Sequence, residues 1–529
     1  MCIKGKIYSD RGVLMMKKIV VLLFSMLLCL LLCACNKEEA SEKKNSFVLE
    51  QPDGLPLLSI TTIDQSENAL DFVTKPVTGF VADQIASWTP NYQMPLRPFY
   101  KDCKVTITDK DGTAALSGAD VQVKVRGNWT TTYPKKALRL KFTEKQNLLG
   151  LNDGAKMKNW VLLAEYKDGS MLRNKTALQI ANEILGNDGL YAADACLVEV
   201  VINNEYWGVY LLSELQQVNE NRVDITEAEE GYAGTDIGYF MELDGYYNYE
   251  DPIQYFNVDY ASNGPLVPYD GEGGGGRTYL PEGLPGFTIK SDVYSPKQRE
   301  FILNYMNNVY KILYAAAYED KAYVFNSDYT EIYEAENLTP QAAVEQVIDI
   351  ESLADMYIIS ELTCDADIYW SSFFMSVDFG EGGSKKLTFE APWDFDSALG
   401  NRDRCADGIG FHASNLVWDV NTEYKKMNPW LVVLAYEDWF QELVAAKWKI
   451  AYAAGVFDRA YAMIEEDAKQ YSAAFERNYA KWNNIADREG FGTELSPQSS
   501  ACTNHAEAAA HLLEWLQARV EFLHGYWGE

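Results

Sequence analysis

Two acidic loops hold the residues of this chain best suited to chemistry. The first, "TCDADIYWSSFF" (363–374), carries Asp365, Asp367 and Ser372; the second, "EAPWDFDSALG" (390–400), carries Glu390, Asp394 and Asp396. Aspartates on either side of an aromatic residue suit three tasks. They can ligate a divalent cation, accept a proton as a general base, or cap the helix that follows. Local order narrows the choice. Apolar residues at three- and four-residue spacing in "IESLADMYIISEL" (350–362) predict a helix. Phe373 to Phe379 and Leu387 to Glu390 read as strands, with "GEGGSKK" (380–386) turning between them. The order is therefore helix, acidic loop, hairpin, acidic loop.

A protein-kinase fold uses that order. One loop supplies an aspartate that takes the proton of the acceptor hydroxyl and, five positions on, an oxygen ligand. A metal-binding aspartate follows the hairpin. Asp367 and Ser372 have the five-residue spacing, and Asp394 occupies the metal-binding place. Serine stands where the template prefers asparagine and offers a weaker ligand. Asp396 is expected to cap the following helix, Asp365 to be a loop or cap residue, and Trp393 and Phe395 to pack.

The elements that must position these loops are legible in outline. Strands are expected at 55–62, 103–109, 159–166 and 238–244, and a polar turn joins two more within 119–142. Val121, Val123 and Val125 alternate there with polar residues, as do Leu138, Leu140 and Phe142. "VEVVINNEYWGVYLLSEL" (198–215) reads as a hairpin turning at Asn203-Asn204. Ser170 is expected to cap a helix over 171–185. "GEGGGGR" (271–277) lies among prolines, so it reads as a flexible surface loop rather than a phosphate cradle. Residues 296–316, 430–482 and 506–527 have helical periodicity. The fold class is α+β, with a strand-rich N-terminal half and a helical C-terminal half.

Composition excludes several classes. The four histidines, His412, His505, His511 and His524, fall in no H-E-x-x-H pattern, and no G-x-S-x-G occurs. The formal charge of −31 argues against nucleic acid as a partner and for attraction of a basic one. Cys103, Cys196, Cys364, Cys405 and Cys502 are widely spaced without C-x-x-C, so neither a zinc site nor a disulfide framework is indicated. At the N-terminus, Lys17-Lys18 precedes the apolar run 19–32, and the segment ends in Leu32-Cys33-Ala34-Cys35. This resembles the lipobox of bacterial lipoproteins. It implies a signal peptide over 1–34, lipid attachment to Cys35, a polar tether over 35–50 and a membrane-anchored, extracytoplasmic protein at the bacterial cell surface.

Five blocks then occur in a specific order: "RGNWTTTYPKKALRLKF" (126–142), "NWVLLAEYKDGSMLRN" (159–174), "VVINNEYWGVYLLSE" (200–214), "YFMELD" (239–244) and the stretch from "ISELTCDADIYWSSFF" to "PWDFDSALG" (359–400). Together they resemble the spore coat protein H (CotH) family. The resemblance covers a kinase-like domain over 111–529, preceded by a strand-rich region over 51–110. It implies an atypical, two-lobe protein kinase that uses ATP with Mg²⁺ or Mn²⁺ to phosphorylate serines of secreted or coat proteins. Carried over position by position, it implies Asp367 as the catalytic aspartate and Asp394, with Ser372, as metal ligands. Arg126, Lys136, Arg139 and Lys141 become candidate nucleotide-binding residues, with Arg173 and Glu214 as secondary candidates. The protein substrate is expected to be basic and serine-containing. Two other readings stay open: a catalytically inactive kinase-fold binding or scaffold protein, and a glycoside hydrolase using Glu390 and Asp394.

Overall fold

In the computed structural model, residues 54–75, 100–403, 406–418, 425–488 and 491–529 are described. Cys35, the signal peptide and the tether lie outside these residues, as does Cys405. Among the described residues, Cys103, Cys196, Cys364 and Cys502 are free thiols.

Alternation of apolar and polar residues rolls the N-terminal half into a closed barrel. Its strands are β1 (Leu57–Thr62), β2 (Lys101–Thr108), β3 (Ala114–Val125), β4 (Leu138–Gln146), β5 (Met157–Leu163), β6 (Ala195–Ile202) and β7 (Glu205–Glu214). The order around the barrel is β1-β2-β3-β4-β5-β7-β6. Every neighbouring pair is antiparallel except β1 and β6, whose parallel pairing of Leu57 to Glu199 through Ile60 to Ile202 closes the ring. Val121, Val123, Val125, Leu138, Leu140 and Trp160 point inward and fill the interior. On the same strands Lys124, Arg139 and Lys141 take the outward register, with Lys124 opposite Arg139. Strands β6 and β7 instead read as near-continuous apolar runs. Val198 and Tyr210 face the barrel core, while Leu197 and Val209 pack beneath the helices. Their turn is Asn203-Asn204, both at positive φ, the conformation that a two-residue hairpin loop needs.

A second sheet carries the acidic loops. It contains β8 (Gly238–Asp244), β9 (Tyr255–Phe256), β10 (Gly286–Ile289), β13 (Phe373–Asp378) and β14 (Thr388–Phe389), in the order β14-β13-β8-β10-β9. A separate small hairpin pairs β11 (Tyr323–Phe325) with β12 (Ile332–Glu334). The principal helices are α1 (Arg173–Gly186), α2 (Pro296–Glu319), α3 (Ile350–Thr363), α4 (Asp438–Ala453), α5 (Val456–Gln470), α6 (Ser472–Trp482) and α7 (His505–Trp527). Helix α3 is the central one. Every residue from Ser352 to Thr363 is buried, as expected for a helix surrounded by other elements. Asp349 caps its start by accepting from the Ser352 N–H, and Cys364, at φ 47°, ends it. The first acidic loop begins there.

The architecture is mixed α+β, strand-rich first and helical second. Among the described residues no helix is long and apolar enough to cross a membrane. The glycine-rich segment 271–277 is folded locally: Asp270 Oδ1 accepts from the N–H groups of Glu272 and Gly274, both at 2.9 Å. Its amides are thus already partly supplied with an anion from the chain itself.

Candidate active site

The turn after α3 is built on its own aspartates. Asp365 is buried and accepts from the Asp367 N–H at 3.0 Å. The Asp367 carbonyl in turn accepts from the N–H groups of Trp370 and Ser371. This leaves the Asp367 side chain partly accessible, with Arg402 Nη1 3.0 and 3.2 Å from its two oxygens. Ser372, at φ 63°, donates its N–H to Glu242 on β8. Its hydroxyl has no hydrogen-bond partner among the described residues.

The second acidic loop is held in an unusual backbone shape. Asp394 has φ 71° and Leu399 φ 50°, conformations that cost energy for side chains with a Cβ and that concentrate at functional sites. The segment "YKDGSMLRN" supports it from below. Asn174 Oδ1 accepts from the Phe395 N–H at 2.8 Å, while its amide nitrogen donates to both oxygens of buried Glu165 at 3.0 and 3.1 Å. Lys167 lies 3.2 Å from Asp396 and 3.7 Å from Glu494. Arg173 Nε donates to the Leu399 carbonyl at 3.2 Å. Arg173 is itself fixed by an ion pair to Asp168, whose carboxylate also accepts the N–H groups of Ser170, Leu172 and Arg173. Asp168 therefore satisfies most of the start of α1, with the Ser170 hydroxyl, to which sequence assigns the task, also accepting the Leu172 N–H at 3.2 Å.

Asp394 is the accessible acid of this loop, and among the described residues its carboxylate makes no hydrogen bond or ion pair. Although its own surface is exposed, loss of water to the surrounding chain, then Asp396, push its pKa up to about 7; Lys167 and Arg126 oppose the shift, and Asp367 adds to it. The two loops therefore lie within electrostatic reach of each other. Asp365 is held well above the usual carboxylate range by burial, then by Asp367, Asp394 and Asp396. The barrel contributes Arg126, whose guanidinium lies 5.4 Å from the Trp393 ring centre. Burial lowers its pKa, and the charges of Asp394 and Glu242 hold it up.

The other candidates divide. Arg139 donates to Asn159 Oδ1 at 3.0 Å. Its charge and those of Arg126 and Lys141 add to burial in lowering the pKa of Lys124, so these cations share one outer face of the barrel. Lys136 points elsewhere: it is buried, and its ammonium donates to the carbonyls of Thr131 and Tyr133 at 2.6 and 2.8 Å, bracing its own loop. Glu214 pairs with Arg222 at 2.9 Å rather than with a clamp lysine. Arg173 acts beneath the second acidic loop. Asp396 does not cap a helix, because it lies inside a single 3-10 turn, Phe395–Ser397, that has no side-chain cap; its partner is Lys167. Glu390 is buried in the sheet, accepting from Ser376 Oγ at 2.7 Å and from the Tyr191 N–H at 3.3 Å.

Sequence reading missed Lys167, Asn174 and Arg402. The signal for the first two was the density of polar residues in "YKDGSMLRN", at a strand-to-helix junction where packing alone needs few. A cavity of about 710 Å³ lies away from this chemistry: Lys175, Asn182, Asp194, Glu214 and Met463 line it, with neither Asp367 nor Asp394.

Among the described residues no group of three or more His, Cys, Asp or Glu side chains forms a ready-made metal site. The donors present still fit Mg²⁺ or Mn²⁺. They are hard oxygen ligands, and the uncommitted Asp394 carboxylate carries negative charge that a cation offsets. Mg²⁺ bound with a nucleotide takes only one or two carboxylates, the phosphates supplying further ligands.

Comparison with known proteins places the chain in a family. The chain matches the family described as CotH kinase protein over residues 123–523. No curated protein matches it. The matched span covers most of the chain, and the chain belongs to the CotH kinase protein family.

Proposed function

We propose that this is a lipid-anchored, extracytoplasmic protein kinase, transferring the γ-phosphate of ATP to serine hydroxyls of surface or secreted proteins. Family membership supports kinase chemistry at the coarse level. The observation that carries the finer reading is Asp394: accessible, uncommitted, in a left-handed backbone, and within electrostatic reach of both Asp367 and Arg126.

In this reading the barrel forms one lobe and the helical half the other. Asp394 and the Ser372 hydroxyl would hold Mg²⁺ or Mn²⁺, which when bound would supply charge neutralisation for the nucleotide phosphates. Arg126 reaches the phosphates from the barrel side, with Arg139 and Lys141 on the adjoining outer face. Asp367 accepts the proton of the serine hydroxyl as the new O–P bond forms and the bond to ADP breaks. Arg402 orients the Asp367 carboxylate. Asn174 and Lys167 hold the metal-binding loop in shape without touching substrate. The anchor at Cys35 places the domain outside the cytoplasm, where a net charge of −31 favours basic substrates.

A second reading, a kinase-fold scaffold without activity, is favoured by two observations. Arg402 occupies Asp367, and serine replaces the template's asparagine at 372. Thermal denaturation separates the readings. Mn²⁺ with ATP is expected to raise the melting temperature of the wild type but not of Asp394→Asn. An equal absence of stabilisation in both proteins contradicts the kinase reading.

A further inference from the structure

Trp370 is an exposed tryptophan three residues beyond Asp367. Its side chain is 40% accessible, whereas Trp160, Trp430 and Trp448 are fully buried. The Trp370 N–H donates to the Asp367 carbonyl, so the two residues share one turn. The indole also has a built seat. A Cβ added at Gly245 would sit 2.1 Å from its Cε2 atom, so only glycine lets the ring lie on this backbone. Tyr246 meets it edge-on, with ring centres 6.3 Å apart and planes at 84°. Burial, then the charge of Asp367, push the Tyr246 phenol up to about 12, so the aromatic pair and the carboxylate adjoin.

The surrounding loop, "DGYYNYED" (244–251), adds aromatic and acidic groups. Tyr249 is 49% accessible, and Glu250 and Asp251 are exposed beside it. Lys290 is the cation of this rim and is committed to Glu242 and Asp244, at 2.7 and 3.5 Å. An exposed ring face, with the exposed Glu250 and Asp251 carboxylates on the same loop, suits a cationic side chain; Asp251 accepts the Ile253 N–H at 3.1 Å and keeps its charge. Cation–π attraction holds its charge over the indole, and the acidic rim adds Coulomb attraction.

We propose that Trp370, seated on Gly245 against Tyr246, with Glu250 and Asp251 on the same loop, is a binding subsite for a lysine or arginine side chain close to the phosphorylated serine in the protein substrate. The inference rests on the kinase reading for the role of Asp367. Its test reads peptide binding without phosphate transfer, so the two can fail separately.

The full-length protein is titrated, without nucleotide, with two fluorescent peptides that differ only in lysine or glutamine beside the serine. The lysine peptide is expected to bind more tightly. Trp370→Ala is expected to weaken it by roughly 3- to 30-fold, to the level of the glutamine peptide, and Trp370→Phe to retain part of the preference. Glu250→Gln with Asp251→Asn, both on the exposed rim, is expected to weaken the lysine peptide and flatten its salt dependence even if Trp370→Ala does not fold. Equal binding of both peptides to the wild type would overturn the proposal. So would loss of ATP affinity in Trp370→Ala with peptide preference intact, which would assign the indole to the adenine ring.

Discussion

Asp394 links the chemistry of the site to its stability. A carboxyl whose folded pKa is about 7, against roughly 3.9 in an unfolded chain, binds its proton more tightly when folded. Its contribution is therefore fully present below the unfolded value and is lost as pH rises through the folded one. Charged Asp394 is a cost that a bound cation would offset. Without metal, the melting temperature of Asp394→Asn minus that of the wild type should grow between pH 5 and pH 8. A difference independent of pH would show that Asp394 is not titrating there. The nearness of Asp367 and Asp394 was readable because both lie beside one hairpin, close in sequence. Lys167, Asn174 and Arg402 were not, because each acquires its role from a partner that only folding brings near, as when Asn174 meets the Phe395 N–H. Lys136 misled for the converse reason: composition marks a lysine as available, whereas the loop carbonyls of Thr131 and Tyr133 consume its donors.

At the scale of elements, the barrel is joined to the helices by buried charge as well as by apolar contact. Glu199 on β6 is fully buried and receives Nε and Nη2 of Arg477 on α6, each at 3.0 Å, with the Tyr206 hydroxyl at 2.9 Å. Removing the arginine leaves a buried carboxylate with one neutral donor. Arg477→Ala is therefore expected to cost about 3–5 kcal/mol, read as a lowered urea midpoint, while Glu199→Leu with Arg477→Leu recovers most of it. An unchanged midpoint in Arg477→Ala would show that α6 is held by packing alone. The helices themselves were legible from apolar residues at helical spacing, α3 included, although the structure buries α3 on every side. The capping of α1 was legible only in part, since Asp168 serves it from outside the helix beside Ser170 while Leu172 stands at the cap position.

At the scale of the molecule, sequence patterning revealed the strand-rich and helical halves but not the closure of the barrel. Closure depends on the parallel register of β1 with β6, segments separated by more than a hundred residues, and no local pattern encodes such a pairing. The consequence reaches the candidate site. β1 and β2 precede the matched family span of 123–523, yet they complete the ring whose β3 ends next to Arg126. The barrel thereby brings a cation within reach of an aspartate nearly 270 residues later in the chain. Phosphate transfer tests this assembly most directly. The protein is incubated with γ-labelled ATP, Mn²⁺ and a serine-rich basic protein, and compared with Asp367→Ala and Asp394→Ala. Labelled serine is expected with the wild type, at least a 100-fold loss in Asp367→Ala, on the order of what a general base contributes, and a comparable loss in Asp394→Ala, which removes the proposed metal ligand. Transfer that survives unchanged in either variant would contradict the assignment of the site.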